Sequence, residues 1–329
     1  MIHLHYADRP TPDGAKAETP GMEAIRSAVW IDLDCPTGAE MALVEQALGT
    51  DLPTAEEMRE IEASSRVYRE NGASYMTAVL VAGMASGTPV STPVGFVLAP
   101  GGQLVTVRML TPHSFQTAIQ QAAKTAPGDS GRAVLLHLLD LVVDRAADVL
   151  EMLGVRIDET SAAIFGRNDP PDRRLSPQAL QDLLRAIGNN QYALNKVHDS
   201  LQTLTRVVSF LTAIEAQNGK PSRADRETLR SLARDISSLT ENSTYLMQNV
   251  FFLLDAAVGR ISIEQNVIIK ILSFASIVLM PPTLIAGIYG MNFEFMPELH
   301  HKLGYPLALA VMLLSAVLPL LYCRRKGWL

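Results

Sequence analysis

Two uncharged stretches near the C-terminus constrain this chain more than anything else in it. Residues 271–289 read ILSFASIVLMPPTLIAGIY and residues 305–323 read YPLALAVMLLSAVLPLLYC. Each is 19 residues long, roughly 28 Å as a helix, against a bilayer hydrocarbon core of roughly 30 Å. The link between them, FEFMPELHHKLG after Tyr289-Gly290-Met291-Asn292, is too short for a third crossing. The pattern predicts a transmembrane hairpin. Arg260 and Lys270 precede the first run, and Arg324, Arg325 and Lys326 follow the second. The link carries Lys302 beside Glu294 and Glu298. Basic residues collect on the cytoplasmic side, which puts both termini in the cytoplasm and the link outside.

Composition excludes several functions. Charged residues make up 19% of 329, and the net charge is −6. No broad basic surface follows, so nucleic acid is not an expected partner. The two cysteines, Cys35 and Cys323, form neither a disulfide framework nor a zinc spacing. The opening MIHLHYADRPTPDG has no apolar segment of the kind a cleaved signal needs. His3, His5, His113, His137 and His198 are scattered, and the pair His300-His301 points two ways on a helix. With no nucleophile motif, dinucleotide fingerprint or phosphate loop, an enzyme is not expected, nor a bound cofactor.

Along the chain, residues 1–130 read as mixed α/β. Candidate strands are 2–6, 28–33, 74–81, 94–98 and 103–108, rich in Val, Ile, Tyr and Thr between Gly, Pro and Asp. Residues 38–48 and 54–63 carry helical spacing, the second opening on Thr54 and Glu57 as a capping box. Turns are expected at 86–89 and 100–102. From Gly131 the pattern turns helical: one helix over 133–165, a break at 166–177, and a second from Ser176 to about Gln217. After a further break at 219–221, Ser222 is the candidate N-cap of a third helix, with Asp225 in its first turn. No proline interrupts 222–280 and Gly259 is its only glycine. The spacing therefore predicts one continuous helix from Ser222 into the first apolar run, about 67 residues or roughly 100 Å. Its apolar positions, among them Leu229, Leu232, Ile236, Leu239, Leu246, Val250 and Leu253, suit packing against the preceding helices and against copies of itself. The functional parts read as 1–130, 131–265 and 266–329.

The first apolar run is dotted with polar groups. Asn266, Ile269, Leu272 or Ser273, Ser276, Met280 and Thr283 recur at threes and fours and share one helical face. One reading is a helix–helix seam, where hydroxyls bond back to the backbone. The other is a pore lined by one such helix from each subunit of a ring. Pro281-Pro282 reads as a kink. Asn292, at the outer end, either caps the helix or joins a ring of amide carbonyls. Such a ring suits Mg²⁺, which gives up its water reluctantly, whereas a carboxylate ring would slow its exit.

Tyr289-Gly290-Met291-Asn292 with Phe293-Glu294-Phe295-Met296-Pro297-Glu298-Leu299 resembles the signature of the CorA magnesium transporter family. The run lies between two C-terminal spans and ahead of a basic tail ending Gly327-Trp328-Leu329. Residues 28–33 (AVWIDL), 60–64 (EIEAS), 234–236 (RDI) and 263–266 (IEQN) resemble the proteobacterial branch. The resemblance implies an α+β membrane protein: a cytoplasmic αβα domain, a long helical stalk and two C-terminal transmembrane helices, assembled as a funnel-shaped homopentamer in the inner membrane. It implies passive, potential-driven uptake of Mg²⁺, with Co²⁺ and Ni²⁺ as further substrates. Gly290, Met291 and Asn292 match the family's filter, and Asn266, Leu272, Met280 and Thr283 match pore-lining positions, with Ser276 on the same face. Met280 and Leu272 would form the constriction. Glu294 and Glu298 would draw cations to the outer mouth, and Arg324, Arg325 and Lys326 match a basic ring at the inner one.

Some family members close in response to cytoplasmic Mg²⁺ through acidic residues between subunits. The matching stalk position here is Ser231, which has no carboxylate; Asp235 and Asp255 are the expected substitutes as regulatory metal ligands. Two other functions compete. One is zinc movement by the related ZntB branch, against which the intact Met-Pro-Glu-Leu loop speaks. The other is a membrane-tethered α/β sensor without transport.

Overall fold

The chain, taken here as a computed structural model, is described over residues 1–7, 10, 20–60, 62–83, 89–126, 128–166, 176–217, 223–291, 296 and 303–326. It forms two compact units: Met1–Arg173 with Pro177–Leu254, and Asp255–Leu329 with Arg174–Ser176.

Among the described residues of the first unit, six strands form one sheet. They are β1 (Ile2–His5), β2 (Trp30–Asp34), β3 (Val67–Glu70), β4 (Ala73–Ala82), β5 (Val90–Leu98) and β6 (Leu104–Arg108), in the order β1-β2-β6-β5-β4-β3. Only β2 and β6 pair in parallel, Trp30 opposite Leu104; the other neighbours are antiparallel. Alternation along the strands sends one set of side chains to each face. Ile31, Leu33, Val105 and Val107 meet Ile25 of α1 (Met22–Ser27) and Val44 and Ala47 of α2 (Gly38–Leu48). On the other face Trp30 and Phe96 meet Phe115 of α4 (His113–Ala122), with ring centroids 6.5 and 6.1 Å away. Helices therefore cover both faces. α2 is closed at both ends: Thr37 and Glu40 form a reciprocal capping box, and Gly49 ends the helix in the left-handed region at φ 65.

Three long helices complete this unit: α5 (Gly131–Phe165), α6 (Pro177–Gln217) and α7 (Arg223–Tyr289). α7 is 67 residues long and uninterrupted, as its lack of early Pro and Gly predicts. Leu229, Leu232, Ile236, Ser243, Leu246, Val250, Leu253 and Ala257 are its buried positions, spaced three, four or seven apart in a heptad seam. The seam is taken up within the chain. Ser243 Oγ lies 3.4 Å from His198 Nδ1 of α6, and Phe252 stacks on Phe165 of α5. Where α5 and α7 begin and α6 ends, Arg132 bonds Asp225 at 3.1 Å and pairs with buried Glu215, clasping α5, α6 and α7 together. α6 also guards the sheet. Thr203 Oγ1 accepts from the Val79 backbone N–H at 3.0 Å, on a part of β4 past Met76, where its pairing with β3 stops.

Several expectations need correction. Residues 54–63 form no continuous helix. The Thr54–Glu57 box is present, with Glu57 Oε2 accepting from the Thr54 N–H at 2.8 Å, but it caps only a 3-10 turn, Glu57–Arg59, before α3 (Ala63–Arg66). One apolar anchor, Met58, is buried there, and Glu56, Glu57 and Glu60 crowd like charge onto a single turn. α1, α4 and β3 were not expected; each has ten residues or fewer, and each is held by contacts from elsewhere in the chain, such as the Tyr68–Tyr75 stack at 4.6 Å for β3. β5 starts at Val90 rather than 94, because Pro93 lies beyond the end of β6 and leaves no partner there short of a donor. The turn at 86–89 falls largely outside the described residues, as do Ser222 and the break at 219–221.

The sheet interior holds a charged network. Arg108 grips Asp32 through Nη2–Oδ2 at 2.7 Å and Nε–Oδ1 at 3.0 Å, and both side chains are at most 1% exposed. Thr106 Oγ1 donates to Asp32 at 2.7 Å and accepts from Trp30 Nε1 at 2.9 Å. Arg108 also reaches Asp34 and Thr111. Against the far face of Trp30 lies His5, stacked at 4.2 Å and 2% exposed, with neither ring nitrogen hydrogen-bonded. Burial, only partly opposed by the Asp32 charge, lowers its pKa to about 4.

Two predictions follow from this core. Arg108→Met leaves the Asp32 carboxylate buried without a counter-charge and should cost about 3–5 kcal/mol in denaturant unfolding. His5 binds its proton more weakly in the folded state than in the unfolded one. Stability should therefore decline as pH falls from about 6.5 to about 4, by roughly 3 kcal/mol in all. His5→Phe, which keeps the stack on Trp30, should flatten that part of the pH profile.

Candidate functional site

The second unit is built from the remainder of α7 and from α8 (Gly304–Arg325). Both helices are long and apolar enough to cross a membrane. None of the most apolar stretch of α7 is buried within the chain, and little of that of α8. Leu272 is 68% exposed and Met280 73%. Side chains like these form no core within the chain, and exposed apolar surface of this extent marks an interaction or membrane face.

The faces of α7 are not equivalent. Phe274, Val278, Pro281, Pro282 and Ile285 are half-buried and share one side. On the opposite side runs a groove lined by Leu272, Ser276, Met280, Thr283, Gly287 and Met291 among others. Four of the five expected pore-lining residues thus come together, along with Met291. Asn266 is exposed on the same helix, short of the groove. The hydroxyls of the groove are already engaged: Ser276 Oγ donates to the Leu272 carbonyl at 3.0 Å, and Thr283 Oγ1 to the Leu279 carbonyl at 2.7 Å. This is how a hydroxyl is tolerated where water is scarce. The surface they leave is apolar, with oxygen atoms set along it.

α7 ends where the tetrapeptide begins. Gly290 N–H donates to the Ala286 carbonyl at 2.9 Å, and Met291 N–H to Ile288 at 3.2 Å, closing the last turn. A Cβ on Gly290 would stand 3.1 Å from the Ala286 carbonyl oxygen, which is why the smallest residue suits this turn. Asn292, Glu294 and Glu298 lie outside the described residues. Arg324 and Arg325 occupy the last turn of α8 and Lys326 its C-cap, where cations complement the negative end of the helix dipole.

Asp235 and Asp255 are exposed on α7. Ser231 Oγ donates to Asp235 at 3.3 Å. Asp235 has acidic company that the sequence reading missed. Asp144 of α5 has its pKa raised by partial burial and then by Asp140, Asp148 and Asp235. The signal was present as Asp140, Asp144 and Asp148, four residues apart on one helical face, but only the packing brings α7 beside it. Among the described residues no three His, Cys, Asp or Glu side chains stand close enough together to hold a metal ion.

Comparison with known proteins agrees with this build. The CorA-like Mg²⁺ transporter protein family matches residues 26–325. The magnesium transport protein CorA of Salmonella typhimurium is 34% identical over 318 residues, covering 95% of this chain and 96% of its own. That of Haemophilus influenzae is 32% identical over 307 residues, 93% of each. In structure, the complete CorA magnesium transporter of Methanocaldococcus jannaschii superposes with a TM-score of 0.73 at 19% identity, covering 100% of this chain and 98% of that one. A sheet unit joined to a long helix that becomes an exposed apolar span, with a second such helix after it, belongs to a class of ion transporters and not of enzymes. The chain is a member of the CorA-like Mg²⁺ transporter family.

One prediction concerns the groove hydroxyls. Each bonds a carbonyl of its own helix, so neither holds helices together. The double variant Ser276→Ala, Thr283→Val should unfold in detergent micelles within about 0.5 kcal/mol of the unaltered protein.

Proposed function

We propose that this protein is a homopentameric conduit that carries Mg²⁺ passively into the cell, driven by the membrane potential. The observation that carries the reading is the exposed face of α7, an apolar groove with oxygens along it that leads to Gly290 and Met291. One helix cannot enclose a path. A ring of such helices, each turning this face to a common axis and its half-buried face outward, would do so in a funnel-shaped assembly. In functional terms residues 1–130 form the cytoplasmic sheet domain, 131–265 the stalk and 266–329 the membrane hairpin. The chain would sit in the inner membrane with both termini in the cytoplasm, as its basic residues favour.

Ion passage then has a simple physical account. Glu294 and Glu298 raise the cation concentration at the outer mouth. Asn292, with Gly290 and Met291, receives the ion in its water shell through uncharged oxygens, so Mg²⁺ is recognised without the cost of stripping it. Co²⁺ and Ni²⁺, hexahydrated ions of similar size, would follow the same route. Below, Thr283, Ser276 and Asn266 offer oxygens, while Met280 and Leu272 form an apolar constriction that blocks flow when dewetted. Arg324, Arg325 and Lys326 ring the inner mouth. The potential contributes about 2.3 kcal/mol per charge per 100 mV, so roughly 4.6 for a divalent ion. That suffices without a nucleotide or cofactor. Asp235 and Asp255 would bind cytoplasmic Mg²⁺ between subunits and favour closure. Zinc transport of the ZntB kind is not better supported, since the relatives at 32% and 34% identity are named magnesium transport proteins.

The test is metal uptake into proteoliposomes under an inside-negative potential. Mg²⁺ should enter with the unaltered protein, and Asn292→Ala should reduce the rate at least tenfold. Uptake that survives the substitution removes the filter role. No uptake by the unaltered protein would leave a membrane-tethered sensor as the better reading.

A further inference from the structure

The groove accounts for one side of α7; the other side carries a feature that ion passage does not use. Pro281 and Pro282 lie inside the helix. Neither has an N–H, so the carbonyls of Ile277 and Val278, four residues earlier, lose their helical donors. The nearest hydroxyls do not replace them. Ser276 donates to Leu272 and Thr283 to Leu279, both of which already accept a backbone N–H. The two missing bonds fall on the half-buried side of Phe274, Val278, Pro281 and Ile285, opposite the groove. A helix bends where its ladder is broken, closing on the face away from the proline. Here that face is the groove.

The position is midway. Leu272 lies about 14 Å to one side of Pro281 along the helix and Met291 about 15 Å to the other, at 1.5 Å per residue. A straight rod that moved Leu272 off the axis would carry Gly290 and Met291 with it. We propose that Pro281-Pro282 is a hinge that splits the span into two segments. The inner segment, with Leu272 and Ser276, swings to open the constriction while the outer segment keeps its place at the mouth. The inference rests on the conduit reading above. It adds that opening and ion recognition are mechanically separate.

The experiment is Mg²⁺ uptake into proteoliposomes at fixed potential, with the initial rate and the half-saturating Mg²⁺ concentration read together. The variants are Pro281→Ala, Pro282→Ala and the double substitution, which restores both helical bonds. Pro319→Ala, in α8, is the control for proline loss in a span and should stay within about twofold of the unaltered protein. The hinge predicts a rate at least tenfold lower in the double variant, with half-saturation moved less than twofold. Each single variant should fall between. If the double variant fails to assemble, the two single variants decide by the same criteria. Unchanged rates overturn the hinge while the conduit stands. A parallel shift in half-saturation also overturns it, because the prolines would then be shaping the mouth. No uptake by the unaltered protein removes conduit and hinge together.

Discussion

A backbone amide in hydrocarbon has no water to turn to, and α7 and α8 are helices long and apolar enough to face that constraint. Every polar backbone group in a span must be served from within the helix or by a neighbour. α7 meets the demand along its length except at the Ile277 and Val278 carbonyls, which face Pro281 and Pro282, and even its side-chain hydroxyls fold back onto it. Because the helix does not stop between the two units, it carries two kinds of surface. In the first unit its heptad seam packs against the chain's own helices. In the second its apolar surface is left bare. The change is made by side chains alone: Leu253 is 3% exposed, while Ile268 and Leu272 are 66% and 68% exposed.

The seam also settles how the helix relates to possible copies of itself. A heptad pattern read from sequence suits a partner of either kind, the same chain or another. Here Leu229, Leu232, Ile236, Leu246, Val250 and Leu253 are spent on α5 and α6, with Ser243 and His198 meeting at one level of it. What remains exposed in this part of α7 includes Tyr245 and Phe251.

Much of this was legible in residues 222–329, because a bilayer imposes a length and a composition that few other environments require. The 67-residue helix followed from the absence of proline before 281, and the groove from a three- and four-residue recurrence. The α/β part was harder. Strands β2, β4 and β6 are dense in Val, Ile and Leu, and their places were clear to within a few residues. α1, α4 and β3 were not seen, since elements of four to ten residues with no more than four buried side chains are set by their neighbours rather than by local pattern. The same holds for function. Gly290 and Met291 sit in a recognisable run, while the acids of α5 gain meaning only from their closeness to Asp235.

The ion pair beneath the sheet carries a consequence for how the protein is made. Asp32 and Arg108 are 76 residues apart, on the two strands that pair in parallel. During synthesis the carboxylate emerges long before its guanidinium. Until β6 has left the ribosome, burial of β2 would strand a lone charge, so the nascent sheet is held open. In register Asp34 stands opposite Arg108 with Asp32 on the same face, and a slip of one position along β2 would put Leu33 or Cys35 opposite Arg108 instead. Buried charge thus favours the observed alignment of the two strands over its neighbours.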